Sequence, residues 1–146
     1  MEEMLAYFAG FFDGEGCVVI CKSKGNKGTP WYKLQVSTYQ KSPEVLYDMK
    51  DAFGGSVCRI SNRGFIGYQW AASSKQAANF LRRVYPYLRV KKEQVKVALE
   101  FADFVAEKPI PSGRGCDKMM LPETRLQILE RREVYFQELL RVRRSA

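Results

Sequence analysis

The chain has 146 residues, 46% hydrophobic and 13% aromatic, which suits one domain over 1–146 and excludes both a disordered chain and a membrane span of roughly 20 apolar residues. Lys and Arg number 24 against 16 acids, a formal charge of +8, and there is no histidine. Ser–His–Asp and Cys–His catalysis and every His-containing metal site are therefore excluded.

The opening, MEEMLAYF, is acidic, unlike a secretory leader, so an intracellular protein is expected. Residues 2–13 read as a helix stopped by Gly14 and Gly16. A strand over 17–24, a turn cluster at Gly25–Pro30 and a strand over 31–40 make a hairpin. In its second strand Tyr32, Leu34, Val36 and Thr38 alternate with Lys33, Gln35, Ser37 and Tyr39. Ser42-Pro43 starts a helix that runs through Phe53 to Gly54-Gly55. A second hairpin follows, 56–61 and 67–72, turning at Asn62-Arg63-Gly64. It sets Arg59 and Ser61 opposite Cys58 and Ile60, and Gln69 opposite Tyr68, Trp70 and Ala72. Ser73/Ser74 cap a helix to about Val84. A long helix covers about Lys91–Val105, Lys108–Leu121 is a loop, and an amphipathic helix runs from Pro122 to about Arg143 with Leu126, Leu129, Tyr135/Phe136 and Leu139/Leu140 on its apolar side. Cys17, Cys21, Cys58 and Cys116 form no C-x-x-C pair and read as reduced, mostly buried thiols.

The order αββαββα plus C-terminal helices predicts an α+β fold, a four-stranded antiparallel sheet with helices on one face. The other face would lie along nucleic acid. Charge supports this: Cys17–Lys41 holds five lysines and no acid, and Gly54–Tyr85 holds Arg59, Arg63, Lys75, Arg82 and Arg83 and no acid. Two acid-free blocks read as one basic face. Outward strand positions make Lys33, Gln35, Ser37, Arg59, Ser61, Arg63 and Gln69 the expected nucleic-acid contacts, and DNA contacts under the resemblance given below, with Lys22 and Lys24 reaching phosphates where the first hairpin twists outward.

The first helix gathers Met4, Leu5, Phe8, Phe11 and Phe12 on one side and Ala6, Ala9, Gly10 and Asp13 on the other. Small residues allow two backbones to approach closely, so this side is expected to meet a second helix; a helix fully buried in one monomer is the alternative. Asp13 and Glu15 then stand at a helix C-terminus, where the dipole disfavours carboxylates. A bound Mg²⁺ would resolve that conflict, because carboxylate and carbonyl oxygens are its hard ligands.

Phe8-Ala9-Gly10-Phe11-Phe12-Asp13-Gly14-Glu15-Gly16 resembles the LAGLIDADG motif of homing endonucleases. Pro86-Tyr87-Leu88-Arg89-Val90-Lys91 and Gln40-Lys41-Ser42 resemble two further elements of that family. One motif copy is present, and single-motif members act as homodimers joined through the motif helices, here Ala6, Ala9, Gly10 and Asp13. The resemblance implies a site-specific endonuclease that breaks both strands of a long, near-palindromic target in intron or intein homing, using Mg²⁺ (or Mn²⁺). It implies that Glu15 and the Gly14 carbonyl hold metal, that Lys91 stands near the scissile phosphate and that Gln40 positions solvent. Asp13 reads as structural. Relatives often carry a basic residue shortly after the glutamine-lysine segment, where Pro43-Glu44 stands here. An intron maturase binding intron RNA and a catalytically silent DNA-binding regulator are the competing readings on the same fold.

Overall fold

The computed structural model describes residues 1–25, 28–111, 114–115 and 118–145. Lys27 and Cys116 lie outside them. The elements are α1 (Glu2–Glu15), β1 (Gly16–Lys24), β2 (Pro30–Gln40), α2 (Glu44–Phe53), β3 (Ser56–Asn62), β4 (Phe65–Ser73), α3 (Ser74–Val84), a 3-10 turn (Tyr85–Tyr87), α4 (Lys92–Glu107) and α5 (Pro122–Arg144). The strands form one antiparallel sheet in the order β1-β2-β4-β3. No helix among the described residues is long and apolar enough to cross a membrane.

Two boundaries differ from the sequence reading. Helix α1 runs through Gly14 and ends at Glu15, with Gly16 in extended conformation as its cap. Glycine is required at Gly16 by space: a Cβ there would lie 2.2–2.7 Å from the Phe12 ring. Pro43, expected as the first helical residue of α2, is instead its N-cap, and no side chain caps that helix.

Helical and β periodicities meet in an aromatic core. Phe80 of α3 stands edge-on to Phe12, Phe53 and Trp70, with centroids 4.9–5.2 Å apart. Such pairs contribute about 0.5–1.5 kcal/mol each beyond their burial. Trp70 is fully buried, and its indole N–H is satisfied by the Gly54 carbonyl at 2.9 Å. The other side of the core is closed by α5. Phe136 packs on Tyr32 and Tyr135 on Phe101. Arg132, only 8% exposed, donates to the Lys108 carbonyl just past α4 at 3.2 Å, a cation at a helix C-terminus. Burial holds its guanidinium below the ordinary range. Leu126, expected on the apolar side of α5, is exposed, and Ile128 takes the buried place.

Opposed residues of an antiparallel ladder share a face, so the register sorts every strand position. Val18, Ile20, Leu34, Val36, Thr38, Trp70 and Ala72 face the helices and are buried. Cys17, Val19, Cys21, Lys33, Gln35, Ser37, Tyr39, Gln69, Ala71, Ser56 and Cys58 line the open face. Cys17 and Cys21 are half-buried and Cys58 is exposed, all three free thiols, so these cysteines are surface residues and not the buried side chains expected.

Candidate active site and nucleic-acid interface

The end of α1 meets the start of α4. The Asp13 carboxylate accepts from the backbone N–H groups of Arg89 at 2.8 Å and Lys91 at 3.0 Å. Lys91 Nζ donates in return to the Asp13 carbonyl at 2.7 Å. The charge conflict at α1 is thus half solved without metal. Asp13 turns toward the positive start of α4, and a lysine from far along the chain covers the negative end of α1. Glu15 is the acid left over: it is exposed, with no hydrogen bond or ion pair among the described residues. Gly14 beside it is open, with nothing within 4 Å of a built Cβ. A free carboxylate and open backbone form a hard-oxygen set that suits a divalent cation. Among the described residues no three acid or cysteine side chains group as a metal site.

Gln40 ends β2 at the same end of the sheet, two residues beyond Thr38, the partner of Gly16. Its Oε1 accepts from the Lys41 N–H at 2.9 Å, and by register it shares the helix-side row of Tyr68 and Arg59.

The open face keeps Lys33, Gln35, Ser37 and Gln69 of the expected contacts. Lys33 Nζ stands 5.8 Å from the Trp31 ring centroid. Ser37 is only 8% exposed, a floor residue between Cys17 and Ala71. Arg63 sits at the hairpin tip with φ 48, followed by Gly64 with φ 84, the left-handed pair of a two-residue turn.

Two expected facings are corrected, and Lys22 has a partner within the chain. Arg59 and Ser61 pair with Tyr68 and Ile66, on the same side as Trp70. The two-residue turn and the buried Trp70 fix that register, and one step of parity reverses a whole strand. Lys22 and Lys24 share the parity of Val18 and Ile20, as expected for the end of the first hairpin, and both are exposed. Lys22 pairs with Glu133 of α5 at 3.0 Å and lies over the Tyr32 and Phe136 rings. The two acid-free blocks are therefore not one basic face: Lys22 meets Glu133, and Arg82 of α3 meets Asp103 at 2.7 Å.

The small-residue face of α1 is also corrected. Ala9 is 0% exposed, buried in the core with Phe8 and Phe12, while Met4, expected inside, is exposed. The helix is rotated so that Ala6, Tyr7, Gly10 and Gly14 form its outer face.

A family model described as LAGLIDADG endonuclease matches residues 8–104, from the end of α1 through most of α4. The chain belongs to the LAGLIDADG endonucleases. It is 30% identical over 108 residues to DNA endonuclease I-CreI of Chlamydomonas reinhardtii, a match covering 70% of this chain and 64% of that protein. Its fold resembles an archaeal intron-encoded homing endonuclease, I-Vdi141I, solved with DNA, at a TM-score of 0.73 and 20% identity over 96% of this chain and 84% of that one. The homing endonuclease I-CvuI, solved with its target in the presence of calcium, matches at a TM-score of 0.71 and 18% identity over 94% and 80% of the two chains.

Beyond the matched LAGLIDADG region, α5 adds groups that the sequence reading missed. Arg143 Nη2 lies 3.5 Å from Cys17 Sγ, two residues from Glu15. Glu133 accepts from the Tyr32 hydroxyl at 2.5 Å and from Lys22 and Gln137. Basic residues in the last turn of α5 were visible in the sequence, but only the packing of α5 along β1 brings one to this end of the sheet.

Proposed function

We propose that the chain is a site-specific DNA endonuclease that acts as a homodimer and hydrolyses phosphodiester bonds with divalent metal. The observation that carries this reading is Glu15: an exposed carboxylate without a partner among the described residues, on the family motif, two residues from the Asp13 carbonyl that holds the Lys91 ammonium at 2.7 Å. Glu15 and the Gly14 carbonyl would hold the ion, and a second copy of the motif across a two-fold axis would supply the matching pair. The chemistry such an ion would supply there is polarisation of the phosphate and a lowered pKa of the attacking water.

The chain's own groups do the rest. Lys91, fixed by its bond to the Asp13 carbonyl, presents positive charge to a phosphoryl oxygen. Gln40 orients solvent through its amide NH₂, since its oxygen is engaged by the Lys41 N–H. Arg143 supplies from α5 the basic group for which Pro43-Glu44 leaves no side chain. The open face of the sheet, with Lys33, Gln35, Gln69 and the tip residue Arg63, lies along the DNA.

Glu15→Gln tests this. It keeps the size of the side chain and leaves the sheet alone, so binding to a cognate duplex stays near normal while cleavage in Mg²⁺ falls by several orders of magnitude. Cleavage by Glu15→Gln at the wild-type rate overturns the assignment. A wild type that binds but never cuts in Mg²⁺ or Mn²⁺ overturns the enzyme reading in favour of a silent DNA-binding protein.

A further inference from the structure

Two glutamines on the open face have their amides held in opposite senses. Gln35 of β2 accepts through Oε1 from the Cys21 thiol of β1 at 3.2 Å. The amide oxygen is thereby turned toward β1, and Nε2, with both hydrogens, has no partner among the described residues. Gln69 of β4 is the reverse. Its Nε2 donates to the Tyr39 hydroxyl at 2.9 Å, across the register pair that joins β2 and β4. Oε1 and the second Nε2 hydrogen of Gln69 are left without partners among the described residues.

Base edges distinguish these two states. A carboxamide has one acceptor atom and one two-hydrogen donor. Guanine presents two adjacent acceptors in the major groove, N7 and O6, whereas adenine presents an acceptor and a donor, N7 and N6. An amide with its oxygen turned aside offers donors only and matches guanine. An amide oriented by one N–H, with its oxygen and other N–H open, matches adenine.

We propose that Cys21 and Tyr39 are positioning residues that set Gln35 to read guanine and Gln69 to read adenine, one base pair each per half-site. The inference rests on the DNA-reading role of the sheet. It also gives the half-buried Cys21 thiol a use on the open face of the sheet.

The test selects bound duplexes from a pool of randomised double-stranded DNA with the full chain in Ca²⁺, then sequences them. Gln35→Ala and Gln69→Ala each relax one position of the half-site and thereby identify it. At the Gln35 position the wild type selects guanine. Cys21→Ala moves that preference toward adenine by about fivefold or more, the lower end of what a bidentate base contact is worth. Cys21→Ser, which keeps a donor, retains guanine. Tyr39→Phe lowers the adenine preference at the Gln69 position and leaves the Gln35 position unchanged. A role in packing alone would change affinity for all sequences without moving one position. The proposal is overturned if Cys21→Ala selects the same base as wild type at the Gln35 position, or if wild type selects adenine there. A wild type that selects no sequence removes the DNA-reading function itself, and the proposal falls with it.

Discussion

Lys22 and Lys33 are alike in composition, and both lie in an acid-free stretch, yet they differ in what they can give to a polyanion. Lys33 is on the open face, its charge near only the Trp31 ring. Lys22 is on the helix side, already paired with Glu133. Counterion release depends on lysines that reach phosphates. Lys33→Ala is therefore expected to weaken binding to all duplexes and flatten the salt dependence by about one unit of slope. Lys22→Ala is expected to leave the slope unchanged and to lower stability. Fluorescence anisotropy over a salt series separates the two; equal slopes for both variants would mean the faces are misassigned. Residue by residue, the structural character of Asp13 was legible in the motif, and its carboxylate does hold the Arg89 and Lys91 N–H groups. The site was not legible where partners come from far along the chain. Nothing near Lys22 in sequence announces Glu133, and nothing near Cys17 announces Arg143.

At the scale of elements, α5 is fastened to the first hairpin through Glu133. Burial pushes the Tyr32 hydroxyl well above its usual 10.0, aided by the bond to Glu133. For Glu133, burial acts upward, but the hydrogen bonds from Tyr32, Gln137 and Lys22 outweigh it and hold the carboxyl below its usual 4.5. Both shifts favour the folded pairing of a neutral phenol with an ionised carboxylate. For Glu133, a lowered pKa gives stability that is present above 4.5 and lost as pH falls through the folded value. For Tyr32, a raised pKa gives stability that is present below 10.0 and lost as pH rises toward the folded value. The two signs are opposite because folding weakens proton binding at Glu133 and strengthens it at Tyr32. Glu133→Gln is expected to lower the melting temperature at neutral pH and to flatten its acid limb below about pH 4.5. Amide exchange in α5 should accelerate with it. An unchanged acid limb would remove Glu133 as the fastening point. The elements were legible to within two residues, because their periodicities and breakers are local. The facing of β3 was not. Cys58 and Ile60 look like a core stripe, whereas the inward positions follow from counting back through the Arg63-Gly64 turn from Trp70. Strand existence is written in alternation; strand parity is written in the turn and the partner.

At the scale of the whole molecule, the proposed chemistry asks for a second copy of the chain. One chain offers one free carboxylate at the motif, and a helix face of Ala6, Tyr7, Gly10 and Gly14 turned to solvent. The small positions Ala6, Gly10 and Gly14 of that face let a second backbone come close. The proposed two-fold pairing of α1 with its copy uses that face and brings the two Glu15 carboxylates together. Like charges so placed repel unless a cation lies between them, which ties assembly to metal. The structure allows a clean separation of folding from assembly. A Cβ built on Gly10 meets nothing within 4 Å, so Gly10→Leu adds a side chain that the monomer accommodates. By contrast, Ala9 is buried in the core, and enlarging it would unfold the chain and test nothing. Gly10→Leu is therefore expected to keep the wild-type circular dichroism spectrum and a near-wild-type melt, while sedimentation velocity shows the dimer replaced by monomer and cleavage is lost. Exposed apolar Tyr7 and Met4 on the separated monomer should lower its solubility. A Gly10→Leu protein that sediments as a dimer of unchanged affinity would move the interface off α1, and with it the pairing of the two motifs on which the cleavage mechanism depends.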